Sequence, residues 1–403
     1  LISGPFLSDL GVSLIAILFL INSLKNKLKK YFNNYYFKFF LFFCFILIIS
    51  SLISENTIIS LKNSLFYFRF GIFSLCFWYL LENNKRLINY IFLSITICFL
   101  ALIIDGYIQY IFGKNLFGYE LYNKYRVSSF FGSELILGSY ISRLFPILFG
   151  LFVYLDLKNK NKNKKLLILV KLIFILSEGL IFLSGERLAL FFMNFSAVFI
   201  ILMIKNYRIY RLWTYIFSIC LITILLILFP NSKERLIDQT INDFTRDSTT
   251  EIYIFSKPHN DMYTTGYKMF SDHKFLGVGP RQFRNNCEKY RVSEYSCSSH
   301  PHNTYIELLS ETGITGFIVV AGLFLLIIFM IIKYFFLKTF KNKEGYFNDL
   351  EICLISALLI SIWPFSPSGS FFNNWMCIVY FFPVGILMWQ INTKSKNDQI
   401  IKK

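Results

Sequence analysis

Runs of about 18 or more apolar residues recur along this chain, and each is long enough to cross a bilayer as a helix. Eleven or so spans are expected, near 5–22, 36–54, 64–81, 87–112, 133–154, 165–183, 187–204, 211–229, 314–332, 350–366 and 373–391. The 403 residues are 55% hydrophobic and 19% aromatic, with a mean hydropathy of +0.52. A soluble chain of this length could not hide that much apolar surface from water. The expected fold class is an all-α polytopic membrane protein: about eleven transmembrane helices with one large periplasmic loop. The expected organisation is N-terminal transmembrane helices over 1–229, a periplasmic loop with short helices over 230–313, and C-terminal transmembrane helices with a cytoplasmic tail over 314–403.

The formal net charge of +17 does not indicate nucleic acid. The lysines are not gathered with aromatics on one module. They sit in the connectors Lys25–Lys38, Lys158–Lys165, Lys205–Arg211 and Lys333–Lys343 and in the tail Lys394–Lys403. With simple alternation all of these fall on one side, which the positive-inside rule makes the cytoplasm. The other face then carries Gly113–Ser129, the turn Ser184–Arg187, the long loop Pro230–Asn303, and Ser366–Phe372. An odd span count with a cytoplasmic C-terminus puts residue 1 outside. The chain starts at Leu1 rather than Met, so a further leading helix, and twelve in the intact chain, is expected.

Within the long loop, Asp261–Ser271 reads as a short helix with an apolar side, and Gly277-Val278-Gly279-Pro280 as a turn. An amphipathic helix begins at Ile306 and is expected to be interrupted at Gly313. Six cysteines (Cys44, Cys76, Cys98, Cys220, Cys353, Cys377) lie in apolar spans as small buried hydrophobes. Cys287 and Cys297 stand ten residues apart in the exported loop, where a disulfide is expected. Zinc is the weaker reading, because no paired-Cys and paired-His spacing is present.

The chemistry concentrates in Ser299-His300-Pro301-His302-Asn303-Thr304, which holds half of the four histidines and opens directly onto an apolar helix. His302 is the lead candidate for a general base near neutral pH. His300 stands beside it as a possible substrate contact, and Asn303 is placed to cap the next helix. Arg187 lies at the outer end of a span, where the positive-inside rule disfavours it and a phosphate would favour it. Arg281 and Arg284 follow the glycine turn three residues apart, so one anion can meet both. Arg126 and Arg291 are weaker candidates. Asp105, Glu134 and Arg143 are intramembrane or near-membrane charges, read mainly as structural partners of the site. Arg69 has no sequence-local partner and no assigned role.

His-Pro-His-Asn-Thr-Tyr-Ile-Glu-Leu-Leu-Ser-Glu-Thr-Gly-Ile-Thr-Gly at 300–316 resembles the signature of the bacterial O-antigen ligase and polymerase superfamily. So do Gly277–Phe283, Ser184–Arg187, Asp105–Tyr110 and Phe131–Glu134. The resemblance implies transfer of a glycan from undecaprenyl pyrophosphate. In ligases the acceptor is lipid A-core; in polymerases it is another lipid-linked repeat unit. No metal or nucleotide cofactor is implied. The family's helix arginine matches Arg187 and its histidine matches His302. Its loop arginine is assigned to Arg281, then Arg284; in ligases it often sits further upstream, where this chain has Pro258-His259-Asn260. A lipid-linked glycan transporter is the non-enzyme alternative, but no inverted repeat supports it.

Overall fold

The computed structural model describes residues 4–158, 163–241, 256–340 and 346–401. Part of the expected exported loop (242–255), and parts of the lysine-rich connectors and tail, lie outside the described residues. Among the described residues the regular structure is helical, with isolated bridges only at Lys114–Glu120 and Tyr122–Arg126. The physical reason is the solvent. Lipid offers no partner for a backbone N–H or C=O, so a spanning segment must bond to itself.

Nine helices among the described residues are long and apolar enough to cross a membrane. The other two expected spans are helices too, but shorter: Arg187–Met203 has 17 residues and Asp349–Ser361 has 13. A 13-residue helix rises about 20 Å, against about 30 Å of hydrocarbon. Both have identifiable ends. The Arg211 guanidinium donates to the carbonyls of Ile200, Ile204 and Asn206 and so closes the C-terminus of the first. The second opens on a reciprocal cap. Asn348 Oδ1 accepts from the Glu351 amide, and Glu351 Oε2 accepts from the Asn348 amide.

The chain divides into two compact units. One contains Asn83–Asn242 and Lys333–Ser361. Its centre is the Leu137–Lys158 helix, which packs against Asp349–Ser361, Arg187–Met203, Lys164–Ser184 and Leu87–Phe112. Glycine lets these backbones approach. A Cβ on Gly150 would stand 2.6 Å from Cys353 Cβ, and one on Gly138 2.8 Å from Ala189 Cβ.

The other unit contains Pro5–Glu82, Asp243–Ile332 and Ile362–Lys403. Its core is aromatic. Tyr67 lies within 6.5 Å, ring to ring, of Phe40, Phe43, Phe70, Phe371, Phe372 and Phe381. Arg69 finds its partners here: its guanidinium bonds Asp9 at 2.7 Å and Asn374 at 3.1 Å. Those residues are 60 and 305 positions away. The expected loop helix is Lys257–Asp272, longer than the sequence suggested, with Pro258 in its first turn.

Candidate active site

At one end of the second unit, four turns meet: residues 50–60, 276–283, 299–304 and 362–373. The Thr304–Phe340 helix starts there. Asn303 caps it, its Oδ1 accepting from the amides of Tyr305 (2.9 Å) and Ile306 (3.1 Å). Its Nδ2 donates to the carbonyls of Pro364 and Ser366, which ties the helix start to the 362–373 turn. The Ser368 amide donates to His302 O at 2.8 Å, and Ser368 Oγ accepts from the Thr304 amide at 2.9 Å. Held on both sides, His302 adopts φ +52°. That left-handed backbone is uncommon for a side chain with a Cβ.

The glycine turn docks on the same helix, backbone to backbone. The amides of Val278 and Gly279 donate to the carbonyls of Ser310 and Glu311, each at 2.9 Å. A Cβ on Gly277 would lie 2.3 Å from the Glu311 carbonyl carbon. Gly313 breaks the helix, at φ +63° and ψ −163°, and the Ile314 amide then donates to Lys274 O. Directly after this turn, Arg281 also takes a left-handed backbone, at φ +60°. Its guanidinium donates to Phe372 O at 2.8 Å, and its other side-chain donors make no hydrogen bond among the described residues.

Three histidines converge beside it. The ring centroids of His300 and His302 are 4.1 Å apart, and those of His259 and His302 are 5.9 Å apart. His302 Nε2 shares a hydrogen bond with Ser298 Oγ at 3.2 Å. Burial lowers the His302 pKa below its ordinary value. Burial also pulls His300 down to about 4, helped by His302 and by the charges of Arg284 and Arg281. Both arginines therefore act on His300. His259, at the start of the Lys257–Asp272 helix, was not among the expected site residues; 43 positions separate it from His302, and no local pattern joins them. Among the described residues, no cluster of His, Cys, Asp or Glu is arranged to hold a metal ion.

The loop that carries these groups has its own small core of Met269, Val278, Phe283, Cys287 and Tyr290, with Cys297 packed against it. Cys287 and Cys297 are joined by a disulfide. The bond closes a loop that ends just before His300. Under non-reducing conditions a thiol reagent should leave both cysteines unlabelled, and reduction should expose them. Ready labelling before reduction would rule out the bond in the native protein.

Arg291, also in the second unit, pairs with Glu288 at 3.2 Å; the remaining candidates belong to the first unit. Asp105 is fully buried and accepts from Ser129 Oγ (2.6 Å), Leu116 N (3.0 Å) and Asn115 Nδ2 (3.1 Å). It organises the Gly113–Ser129 loop. Glu186, which follows the Ser184-Gly185 turn, caps the Leu137–Lys158 helix, accepting from Gly138 N (2.6 Å) and Ser139 N (3.0 Å). Burial raises its pKa. Arg126 donates to Ser184 O at 2.7 Å, and Arg187 donates to Thr240 Oγ1 at 2.9 Å. Arg143 bonds Ser139 O and lies over the Phe192 ring, while Glu134 is exposed beside the Ser129–Phe131 turn.

A family model described as O-antigen ligase matches residues 172–321. This segment is similar to the O-antigen ligase family. No curated protein matches the chain significantly. The matched segment includes Arg187, Arg281, Arg284, His300, His302, Asn303 and the disulfide. Asp105, Glu134 and Arg143 lie outside the matched segment, as does the 362–373 turn that grips the backbone of His302. By its helices the chain is a multi-pass membrane protein.

Proposed function

We propose that the protein is a glycosyltransferase that moves a glycan from undecaprenyl pyrophosphate to a lipid A-core acceptor, at the periplasmic face of the bacterial inner membrane. One observation carries this most. Among the described residues, the cation Arg281 and the imidazole His302 are both held in left-handed backbone where the same turns meet. Non-glycine residues in such conformations persist where the surrounding structure holds them, and they gather at functional sites.

The chemistry is a single displacement. An acceptor hydroxyl oxygen attacks the anomeric carbon and a new glycosidic bond forms. The bond from that carbon to the pyrophosphate oxygen breaks, and its electron pair leaves with the diphosphate. His302 takes the hydroxyl proton. Arg281, with Arg284 beside it, stabilises the charge that develops on the diphosphate. Arg187, in the other unit, is proposed from its motif alone as a phosphate-binding guanidinium. His300 and Asn303 are proposed to line the acceptor side, and Asp105, Glu134 and Arg143 to support the loops of their own unit. Attack from the face opposite the leaving group inverts the anomeric carbon. The sugar–pyrophosphate bond supplies the free energy, so no metal or nucleotide is invoked.

Sidedness is supported by the lysine-poor turns, which are the ones that meet at this end of the unit. The test is His302→Ala in the native host, with gels of lipopolysaccharide and of undecaprenyl-linked glycan. Loss of the ladder with long polymer stranded on undecaprenyl is the result expected. Core carrying a single repeat would instead identify a polymerase. Unchanged glycan in both fractions would overturn the enzymatic role and favour transport.

A further inference from the structure

Two buried carboxylates lie on the helix that follows His302. Glu307 and Glu311 are 1% and 0% exposed and stand one helical turn apart. Burying two carboxylates so close together is unfavourable unless each is held by donors. Both are held, and by main chain. Glu311 Oε2 accepts from the Arg281 amide at 2.5 Å, and its Oε1 from the Phe283 amide at 2.9 Å. Glu307 Oε2 accepts from the Phe371 amide at 2.7 Å, and its Oε1 from Ser370 Oγ at 2.5 Å.

The targets matter more than the count. Glu311 grips the two amides that flank Gln282, directly where Arg281 turns left-handed. Glu307 grips the turn whose Ser368 amide holds His302 O and whose Phe372 carbonyl accepts the Arg281 guanidinium. The carboxylates have a rigid origin as well: Glu311 O accepts from Gly279 N and Ser50 Oγ. We propose that Glu307 and Glu311 are a pair of positioning residues. Glu311 sets the backbone of Arg281, and Glu307 sets the turn that orients His302 and receives Arg281. Neither touches substrate. They preorganise one cation and one base before the donor arrives. The catalytic consequence rests on the glycosyltransferase role proposed above; the clamp itself does not.

Hydrogen–deuterium exchange on the full chain in lipid nanodiscs reads the clamp directly. Glutamine keeps the shape and one acceptor oxygen but sets an N–H₂ against a backbone N–H. In Glu311→Gln the amides of Arg281 and Phe283 should exchange about tenfold faster, with Phe371 unchanged. In Glu307→Gln the pattern should reverse. Wild-type exchange at those amides in both variants would overturn the proposal. So would a uniform rise across the unit, which is what general loss of packing produces; the milder Glu311→Asp serves where Gln does not fold.

The second arm is transfer from a polyprenyl-pyrophosphate glycan. If Glu311 acts through Arg281, the double variant Arg281→Ala/Glu311→Gln is as slow as Arg281→Ala alone. A further, independent loss in the double variant would refute the assignment. Wild-type protein that transfers nothing would count against the glycosyltransferase role, and the exchange arm would still decide the clamp.

Discussion

Replacing His302 with asparagine should slow glycan transfer by about 10²- to 10⁴-fold while leaving the fold intact. Asparagine is chosen because it tolerates the left-handed backbone that His302 occupies at φ +52°. It also removes the titrating group without adding a charge. Alanine would mix loss of the base with backbone strain. The retained Cys287–Cys297 disulfide and an unchanged melting temperature would show that the turn has survived. The pH profile of the wild type carries the same information. Burial lowers the folded pKa of His302 below its ordinary value of 6.5. A base must be neutral to accept a proton, so activity is present above the folded pKa and is lost as pH falls through it. The acid limb should therefore lie below pH 6.5. His300, whose ring centroid lies 4.1 Å from that of His302, is itself pulled down to about 4 and so carries no charge near neutrality. In the asparagine variant that limb should vanish along with the rate. A variant within threefold of wild type at about pH 7 would mean that His302 is not the base.

The largest effect on stability is expected from Gly313→Ala. At φ +63° and ψ −163°, Gly313 lies in a region that is essentially closed to residues with a Cβ. Space is equally closed. A Cβ there would lie 2.4 Å from both the carbonyl carbon and the carbonyl oxygen of Phe275. Those are backbone atoms and cannot rotate aside. Strain and overlap together should destabilise by more than about 4 kcal/mol. The turn at 274–283 would have to leave the helix, taking Arg281 with it. Gly322→Ala is the matched control in the same helix, since its Cβ would meet nothing within 4 Å. That change should be neutral or mildly stabilising, because alanine favours the helix by up to about 1 kcal/mol. Thermal unfolding in nanodiscs, followed by near-UV circular dichroism, separates the two. Equal melting temperatures for both variants would contradict the close backbone contact.

The two experiments bear on one arrangement. The signature around His302 is more than a candidate base followed by a span. Its glycines allow a turn to lie backbone-on-backbone against the helix, and its carboxylates hold the amides that this turn and the 370–371 turn present. The same short stretch thus supplies the proposed base, the socket for the Arg281 backbone and the start of a membrane-spanning helix.

Local chemistry was legible in the residues. Apolar runs give helices because lipid leaves the backbone no other partner, so the helical class and most spans could be read by length alone. The break at Gly313, the cap at Asn303 and the glycine turn were also legible, because each depends on residues within a few positions. Length alone misled at 350–366, where the helix stops at Ser361, before Pro364 and short of a full span.

What the residues could not reveal is set by contacts with no local trace. His259 meets His302 from 43 positions away, Arg69 meets Asp9 and Asn374, and Glu186 caps a helix that begins 49 residues before it. The buried carboxylates reach across 28 to 64 positions to their amides. Hydrogen bonding along a helix is a near-neighbour property and is written in short segments. Packing of one segment on another depends on shape and burial summed over the whole unit. Sequence thus determined the membrane-helical class, the candidate base and the candidate cations; only the tertiary structure decided which backbone amides the buried carboxylates hold, and with them how Arg281 and His302 are presented.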